Sequence, residues 1–310
     1  MTGARDSAAE AHERELEELL AEVRRIDVQS RRLVAGAMAG GYVSVFRGAG
    51  IEFEEVREYV PGDDPRSVDW NVSARMGRPF VKKYKDERER TVVFLLDLSA
   101  SMTGGFGIWS ARQTAARVVA CLALSAARNG DKTALVTFGE EIVSHVAPRK
   151  GPAHALRIVR DCLALPGRGG TAPAAAIGFA SHAFRRGAIV FLVSDFLSRG
   201  WERPLTLCAR RHDVVAVRIR APELAPPDAG LLRVRDPETG RSTVVDWGSR
   251  RVRAEYAMQV AAWRDETEQA LRRAKVDLLD VPVPRAPDRN AIAGPILRFF
   301  TMRELRGAKK

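Results

Sequence analysis

Thr91-Val92-Val93-Phe94-Leu95-Leu96-Asp97 is apolar without interruption from Val92 to Leu96 and ends on a carboxylate. A strand with one wet face would alternate. An unbroken apolar run belongs to a strand covered on both faces by helices, as in a parallel sheet. The chain beyond it keeps that rhythm: helix-length segments at 110–128, 153–163 and 173–184 are interleaved with β-prone runs at 133–138, 142–146, 188–193, 214–219 and 276–279. Strands separated by helices imply βαβ units with right-handed crossovers. The spacing therefore predicts an α/β fold with an open, doubly wound, mainly parallel Rossmann-like sheet.

The remaining segments arrange themselves around that sheet. Leu16, Leu19, Leu20, Val23 and Ile26 recur at three- and four-residue steps, which predicts an N-terminal amphipathic helix within 1–40. Residues 41–90 mix short β-prone pieces, YVSVF and PFVKKY, with turn signals, and read as a small β-rich charged subdomain. The sheet domain is expected over 91–285. It carries a hairpin insertion near 231–247 that turns at 237–240, then a long helix over 250–274. Residues 286–310 form a C-terminal helix or tail, with Leu297, Phe299 and Phe300 facing inward.

Composition narrows the classes. A chain of 310 residues with 45% hydrophobic content can bury a substantial core. The net charge of +11 attracts any polyanion, but arginine outnumbers lysine 42 to 8 in an alanine-rich chain. That is the imprint of a GC-rich genome rather than a dedicated phosphate trap, and no nucleic-acid module focuses the charge. Cys121, Cys162 and Cys208 lie too far apart for a CxxC zinc site, which fits a reducing cytosol. No run reaches the ~18 apolar residues of a membrane span. The expectation is a cytoplasmic protein without a transmembrane segment, or one peripheral to the inner membrane.

In open α/β sheets, ligands bind beyond the carboxyl ends of the strands. Three loops there carry hard oxygen donors. Asp97-Leu98-Ser99-Ala100-Ser101 places a carboxylate and two hydroxyls at alternate positions, Gly169-Gly170-Thr171 offers a hydroxyl before a helix, and Asp195 follows the strand AIVFLVS. Each alone is an ordinary turn or cap. Together, Asp97, Ser99, Ser101, Thr171 and Asp195 make an all-oxygen set suited to Mg2+ or Mn2+, with room for a carboxylate from outside. Both aspartates are expected at solvent-facing strand ends. Their removal should then spare the fold.

These residues match, in order, the metal-ion-dependent adhesion site of the von Willebrand factor A domain, DxSxS then Thr then Asp, and the resemblance covers about 91–279. A longer stretch, RGAGIEFEEVREYVPGDDPRSVDWNVSARMGRPFVKKYKDERERTVVFLLDLSASM at 47–102, resembles the bacterial domain-of-unknown-function family fifty-eight. That resemblance implies a partner, a MoxR-type AAA+ ATPase, with the chain as adaptor in protein maturation or complex assembly. The adhesion-site resemblance implies that a client or the ATPase binds through an acidic residue.

Before the first core strand, Glu52, Glu54, Glu55, Arg57, Glu58, Asp63, Asp64, Arg66, Asp69 and Arg75 crowd around Phe53, Tyr59 and Trp70. One reading is an ion-paired subdomain whose aromatics fill a small core. The other is a docking surface in which Arg57, Arg66 and Arg75 grip carboxylates. Enzyme signatures are missing: there is no GxSxG elbow, no lysine-bearing P-loop and no metal-spaced histidine pair. Two alternatives remain, a metal-dependent phosphoryl-transfer enzyme with Asp97 as nucleophile, such as a phosphatase, and a basic nucleic-acid-binding protein.

Overall fold

The structure, a computed structural model, describes residues 51–60, 63, 68–86, 90–167, 169–288 and 290–307, together with Ala21. Apart from Ala21, the helix expected over 1–40 lies outside these residues, as do the YVSVF piece and Arg66. The chain divides into two compact units, Arg47–Glu89 and Met1–Phe46 with Arg90–Lys310.

In the smaller unit, β1 (Ile51–Glu58) pairs antiparallel with β2 (Phe80–Asp86), Ile51 opposite Asp86 and Glu58 opposite Phe80. Between them lies a helix absent from the sequence reading, α1 (Trp70–Met76). Its sequence WNVSARM has weak helix propensity, and its ends compensate. The Asp69 carboxylate accepts hydrogen bonds from the Asn71 and Val72 amides, and Gly77 closes the helix in the left-handed region at φ +67°. Trp70 does not fill a core as expected; it is 74% exposed. Arg57 grips Asp63 through both guanidinium nitrogens at 2.8 and 2.7 Å, so it is engaged within its own unit. Arg75 is exposed in the last turn of α1.

The larger unit runs β3 (Thr91–Asp97), α2 (Ala111–Arg128), β4 (Lys132–Phe138), β5 (Ile142–Arg149), α3 (Pro152–Ala164), α4 (Pro173–Ala183), β6 (Ile189–Ser194), α5 (Glu202–Ala209), β7 (Asp213–Arg220), β8 (Leu231–Arg235), β9 (Ser242–Asp246), α6 (Arg250–Arg273), β10 (Asp277–Pro282) and α7 (Ala293–Gly307). Six strands form one sheet in the order β10-β7-β6-β3-β4-β5. All neighbours are parallel except β5, which pairs antiparallel with β4 at the edge. This is the doubly wound, mainly parallel α/β fold that the sequence predicts. Strands β8 and β9 form a separate two-stranded hairpin.

The unbroken apolar run of β3 is explained by its central place. Val92, Phe94 and Leu96 join one core with α2, α3 and α7, whereas Val93 and Leu95 join a second with α4, α5 and α6. Phe94 stacks on Phe191 of β6 at 5.6 Å within the first. Helix α2 presents Ala115, Ala116, Ala120 and Ala123 to that core, small enough to be buried completely. Its start is locked by a reciprocal pair, Ser110 to the Gln113 amide and Gln113 to the Ser110 amide. Helix α5 had no counterpart in the sequence reading, since its eight residues are too few for a period to stand out.

After β3 the chain builds outward through β4 and β5, then returns to lay β6, β7 and β10 on the other side. The reversal falls between β3 and β6. In open α/β sheets such a reversal is where loops leaving adjacent strands part and ligands bind.

Candidate metal centre

Register brings the two halves of the site together. Leu96 of β3 lies beside Val193 of β6, so Asp97 and Ser194 end adjacent strands. Asp97 Oδ2 accepts hydrogen bonds from Ser194 Oγ at 2.7 Å and Thr171 Oγ1 at 3.1 Å, while its Oδ1 accepts from the Ser99 amide at 2.9 Å. Ser99 Oγ lies 3.0 Å from Ser101 Oγ, and at the end of the neighbouring strand Asp195 Oδ1 accepts from the Leu197 amide at 3.0 Å. Asp97, Ser99, Ser101 and Thr171 thus form one hydrogen-bonded network, and the fifth residue singled out from sequence, Asp195, is buried close enough for its charge to act on that of Asp97. Ser194 was missed; a lone hydroxyl closing the strand IVFLVS was its signal.

Backbone contacts hold the three loops in place. The Ala100 amide donates to Gly169 O at 3.0 Å, and Ala172 N donates to Gly139 O at 2.8 Å. Gly169 has φ +67°, a region that favours glycine. Gly167 presses against the DxSxS loop: a Cβ there would sit 2.9 Å from Leu98 O and 3.3 Å from Ser99 O, and would collide with the Thr103 methyl. After β6, Phe196 adopts φ +60°, a strained value for a non-glycine residue. Its surroundings impose it. Phe196 N donates to Ser194 Oγ at 3.1 Å, Trp263 Nε1 donates to Phe196 O at 2.9 Å, and the ring packs edge-on against Trp201 at 5.3 Å.

The aspartates are not at solvent-facing ends as expected. Asp97 is fully buried and Asp195 is 5% exposed, because the loops fold back over the strand ends. Burial pushes both carboxyls above their ordinary range. For Asp97 the Ser194, Ser99 and Thr171 hydrogen bonds oppose the shift. Asp195 is pushed up to about 6 by burial; the Leu197 amide opposes this and the nearby Asp97 charge adds to it. Among the described residues, no ion pair reaches either carboxylate.

Two neighbouring buried carboxylates with only neutral hydrogen-bond donors call for a proton or a cation. Among the described residues, no group of three or more His, Cys, Asp or Glu side chains is arranged to hold a metal. A candidate site must therefore draw on hydroxyls. The donor set of two carboxylates and three hydroxyls fits a hard cation such as Mg2+ or Mn2+, and disfavours zinc. Two further carboxylates lie beside Gly170: Glu140 Oε1 accepts from its amide at 3.1 Å, and Glu238 Oε2 would sit 3.6 Å from a Cβ placed there. Neither was legible as a site residue, since nothing in the local sequence of either points to this crevice.

A family model described as "Protein of unknown function DUF58" matches residues 55–266. An uncharacterized protein of Mycobacterium tuberculosis is 29% identical over 301 residues, covering 94% of this chain and 91% of that one. An uncharacterized protein of Mycobacterium avium is 34% identical over 128 residues, 40% of this chain and 70% of its own. Among solved structures, the conserved hypothetical protein BatB from Bacteroides thetaiotaomicron is similar at 17% identity and a TM-score of 0.44, covering 71% of this chain and 100% of that one. Among the described residues, no helix is long and apolar enough to cross a membrane.

Proposed function

The chain belongs to the DUF58 family, and from that premise we propose that it is a non-enzymatic, metal-dependent protein-binding module. The observation that carries this reading is the hydrogen-bonded network that joins Asp97, Ser99, Ser101 and Thr171 beside a second buried carboxylate, Asp195, at the sheet's switch point. Mg2+ or Mn2+ would be held by these five residues, and when bound would supply a Lewis-acidic position for a carboxylate of a partner protein. The chain's own residues set up that position. Ser194 and Thr171 orient Asp97, the Leu197 amide orients Asp195, and the glycines of the 167–170 loop let backbone close in around the crevice.

The phosphoryl-transfer reading is disfavoured by the same geometry. Both oxygens of Asp97 already accept hydrogen bonds in a buried setting, which blunts a nucleophile. The partner proposed is a MoxR-type AAA+ ATPase or its client, which would present an acidic side chain. The test uses titration calorimetry with Mn2+ on the wild type and Asp195→Ala, then binding to a purified MoxR-type ATPase from the same genome in Mg2+ and in chelator. Metal binding and ATPase binding that are both lost in Asp195→Ala are expected. ATPase binding that is unchanged in chelator would place the interface elsewhere and overturn the metal-dependent reading.

A further inference from the structure

The parallel strands of the larger unit all start at one end of the sheet, and α4, α5 and α6 finish at that end to feed β6, β7 and β10. Cations gather at these junctions. Arg185 and Arg186 lead into β6, Arg210 and Arg211 into β7, and Arg273 and Lys275 into β10. The three strands are neighbours in the sheet, and the Gly187 amide donates to Arg211 O at 2.8 Å, so two of the loops are joined directly. One cation in the last turn is enough to complement a helix dipole. Here each helix end carries two, all six are exposed, and among the described residues none of the six is in an ion pair.

Two carboxylates at this end are held by α7 instead: Asp213 and Asp277 lie 2.8 and 3.0 Å from Arg303, and Asp277 lies 3.1 Å from Arg306. The acidic groups Asp97, Asp195 and Glu140 stand past the opposite ends of the strands, about 20 Å away along a six-residue strand such as β6. That separation exceeds the ~8 Å screening length of physiological salt. The two ends therefore present separate fields, one acidic and one basic.

Aliphatic side chains stand exposed among the cations. Leu207, 51% exposed, lines with Arg203, Arg210 and Arg273 a hollow of about 420 Å3 between α5 and α6. Met302, 49% exposed, lines with Arg272 and Arg306 another of about 190 Å3 between α6 and α7. Glu202 joins the first hollow; Glu268 and Asp277, each paired with arginine, join the second. Cations interleaved with aliphatic groups suit a lipid interface, where head groups meet the charge and the side chains reach the acyl boundary. Single-stranded nucleic acid favours exposed aromatics that stack on bases, whereas the large apolar side chains exposed in these hollows are Leu207 and Met302. We propose that this face docks the larger unit onto an anionic lipid surface, with the DxSxS crevice turned away from the bilayer. Docking of this kind needs no ion in the crevice.

The test is co-sedimentation of the full chain with vesicles of phosphatidylcholine, with and without phosphatidylglycerol. One variant carries Arg185→Gln, Arg186→Gln, Arg210→Gln and Arg211→Gln. Its control removes the same charge from exposed positions on the hairpin and at the start of α6, through Arg233→Gln, Arg235→Gln, Arg241→Gln and Arg250→Gln. Leu207→Ser leaves the charge unaltered, and circular dichroism confirms that each variant is folded. Wild type is expected to bind only the vesicles that contain phosphatidylglycerol. The first variant should lose about fivefold per charge, several hundredfold in all, and the control should stay within about threefold of wild type. Leu207→Ser should bind about fivefold more weakly. Equal losses in the two arginine variants would show that net charge rather than this face is responsible, and would overturn the proposal. So would a wild type that ignores the vesicles, one that binds a DNA duplex more tightly than it binds them, or a Leu207→Ser variant that binds as wild type.

Discussion

Ser194 Oγ donates a 2.7 Å hydrogen bond to Asp97 Oδ2, joining the ends of two adjacent parallel strands whose residues stand 97 apart in sequence. Both groups are buried, so neither can exchange the bond for water. Ser194→Ala would leave Asp97 a donor short in a setting that already disfavours its charge. The expected cost is about 1–3 kcal/mol of stability. On the proposed reading, Mn2+ affinity falls about 10–100-fold as well, since the carboxylate loses its orienting partner. Denaturant titration and calorimetry measure the two effects separately.

Asp195 sets a pH dependence whose sign is fixed by its raised pKa of about 6 against an ordinary 3.8. Between those values the folded chain holds the proton more tightly than the unfolded one, so stability without divalent ion falls as pH rises through that window. The span corresponds to a loss on the order of 3 kcal/mol. Asp195→Asn should therefore melt several degrees higher than wild type at pH 7.5 in chelator, with the difference closing at pH 4. Wild type should gain in melting temperature with Mn2+, and Asp195→Asn should not.

Gly167→Ala tests the loop that backs the DxSxS segment. The added methyl meets Leu98 O and Ser99 O, both backbone, so the strain is relieved only if the loop itself shifts. A destabilisation of about 1–3 kcal/mol is expected. Mn2+ affinity should drop with it. Gly178→Ala, mid-helix in α4 where an added Cβ meets nothing within 4 Å, serves as the control: it should raise stability by about 0.5–1 kcal/mol and leave Mn2+ affinity unchanged.

Arg218 lies buried on β7 with its Nε 2.8 Å from Asp280 Oδ1 and its Nη2 3.1 Å from Glu268 Oε1. Its Nη1 is buried without a hydrogen-bond partner. Such a group tolerates little further loss. Asp280→Ala should cost about 3 kcal/mol, because the guanidinium charge remains buried with half its compensation removed. The double variant Arg218→Met with Asp280→Ala should recover part of that loss in a denaturant titration.

Sequence alone determined the sheet and most of its crossovers, because burial on both faces writes itself locally as the runs Val92–Leu96 and Ile189–Val193. It also singled out Asp97, Ser99, Ser101 and Thr171, which the structure joins by hydrogen bonds, and Asp195, buried at the end of the neighbouring strand, because polar side chains just beyond apolar strands stand out in the sequence. Tertiary structure decided the rest. Asp97 and Asp195 proved buried because loops from elsewhere fold over them, which no local pattern records. Helix α1 formed on the strength of its caps at Asp69 and Gly77, against a sequence that favours helix weakly. Ser194 and Glu140 joined the site's surroundings through strand register and a loop contact, and Glu238 came beside Gly170 through the reach of an inserted hairpin. Periodicity along a chain reports which face of an element is covered; only the packing of distant elements decides which side chains meet.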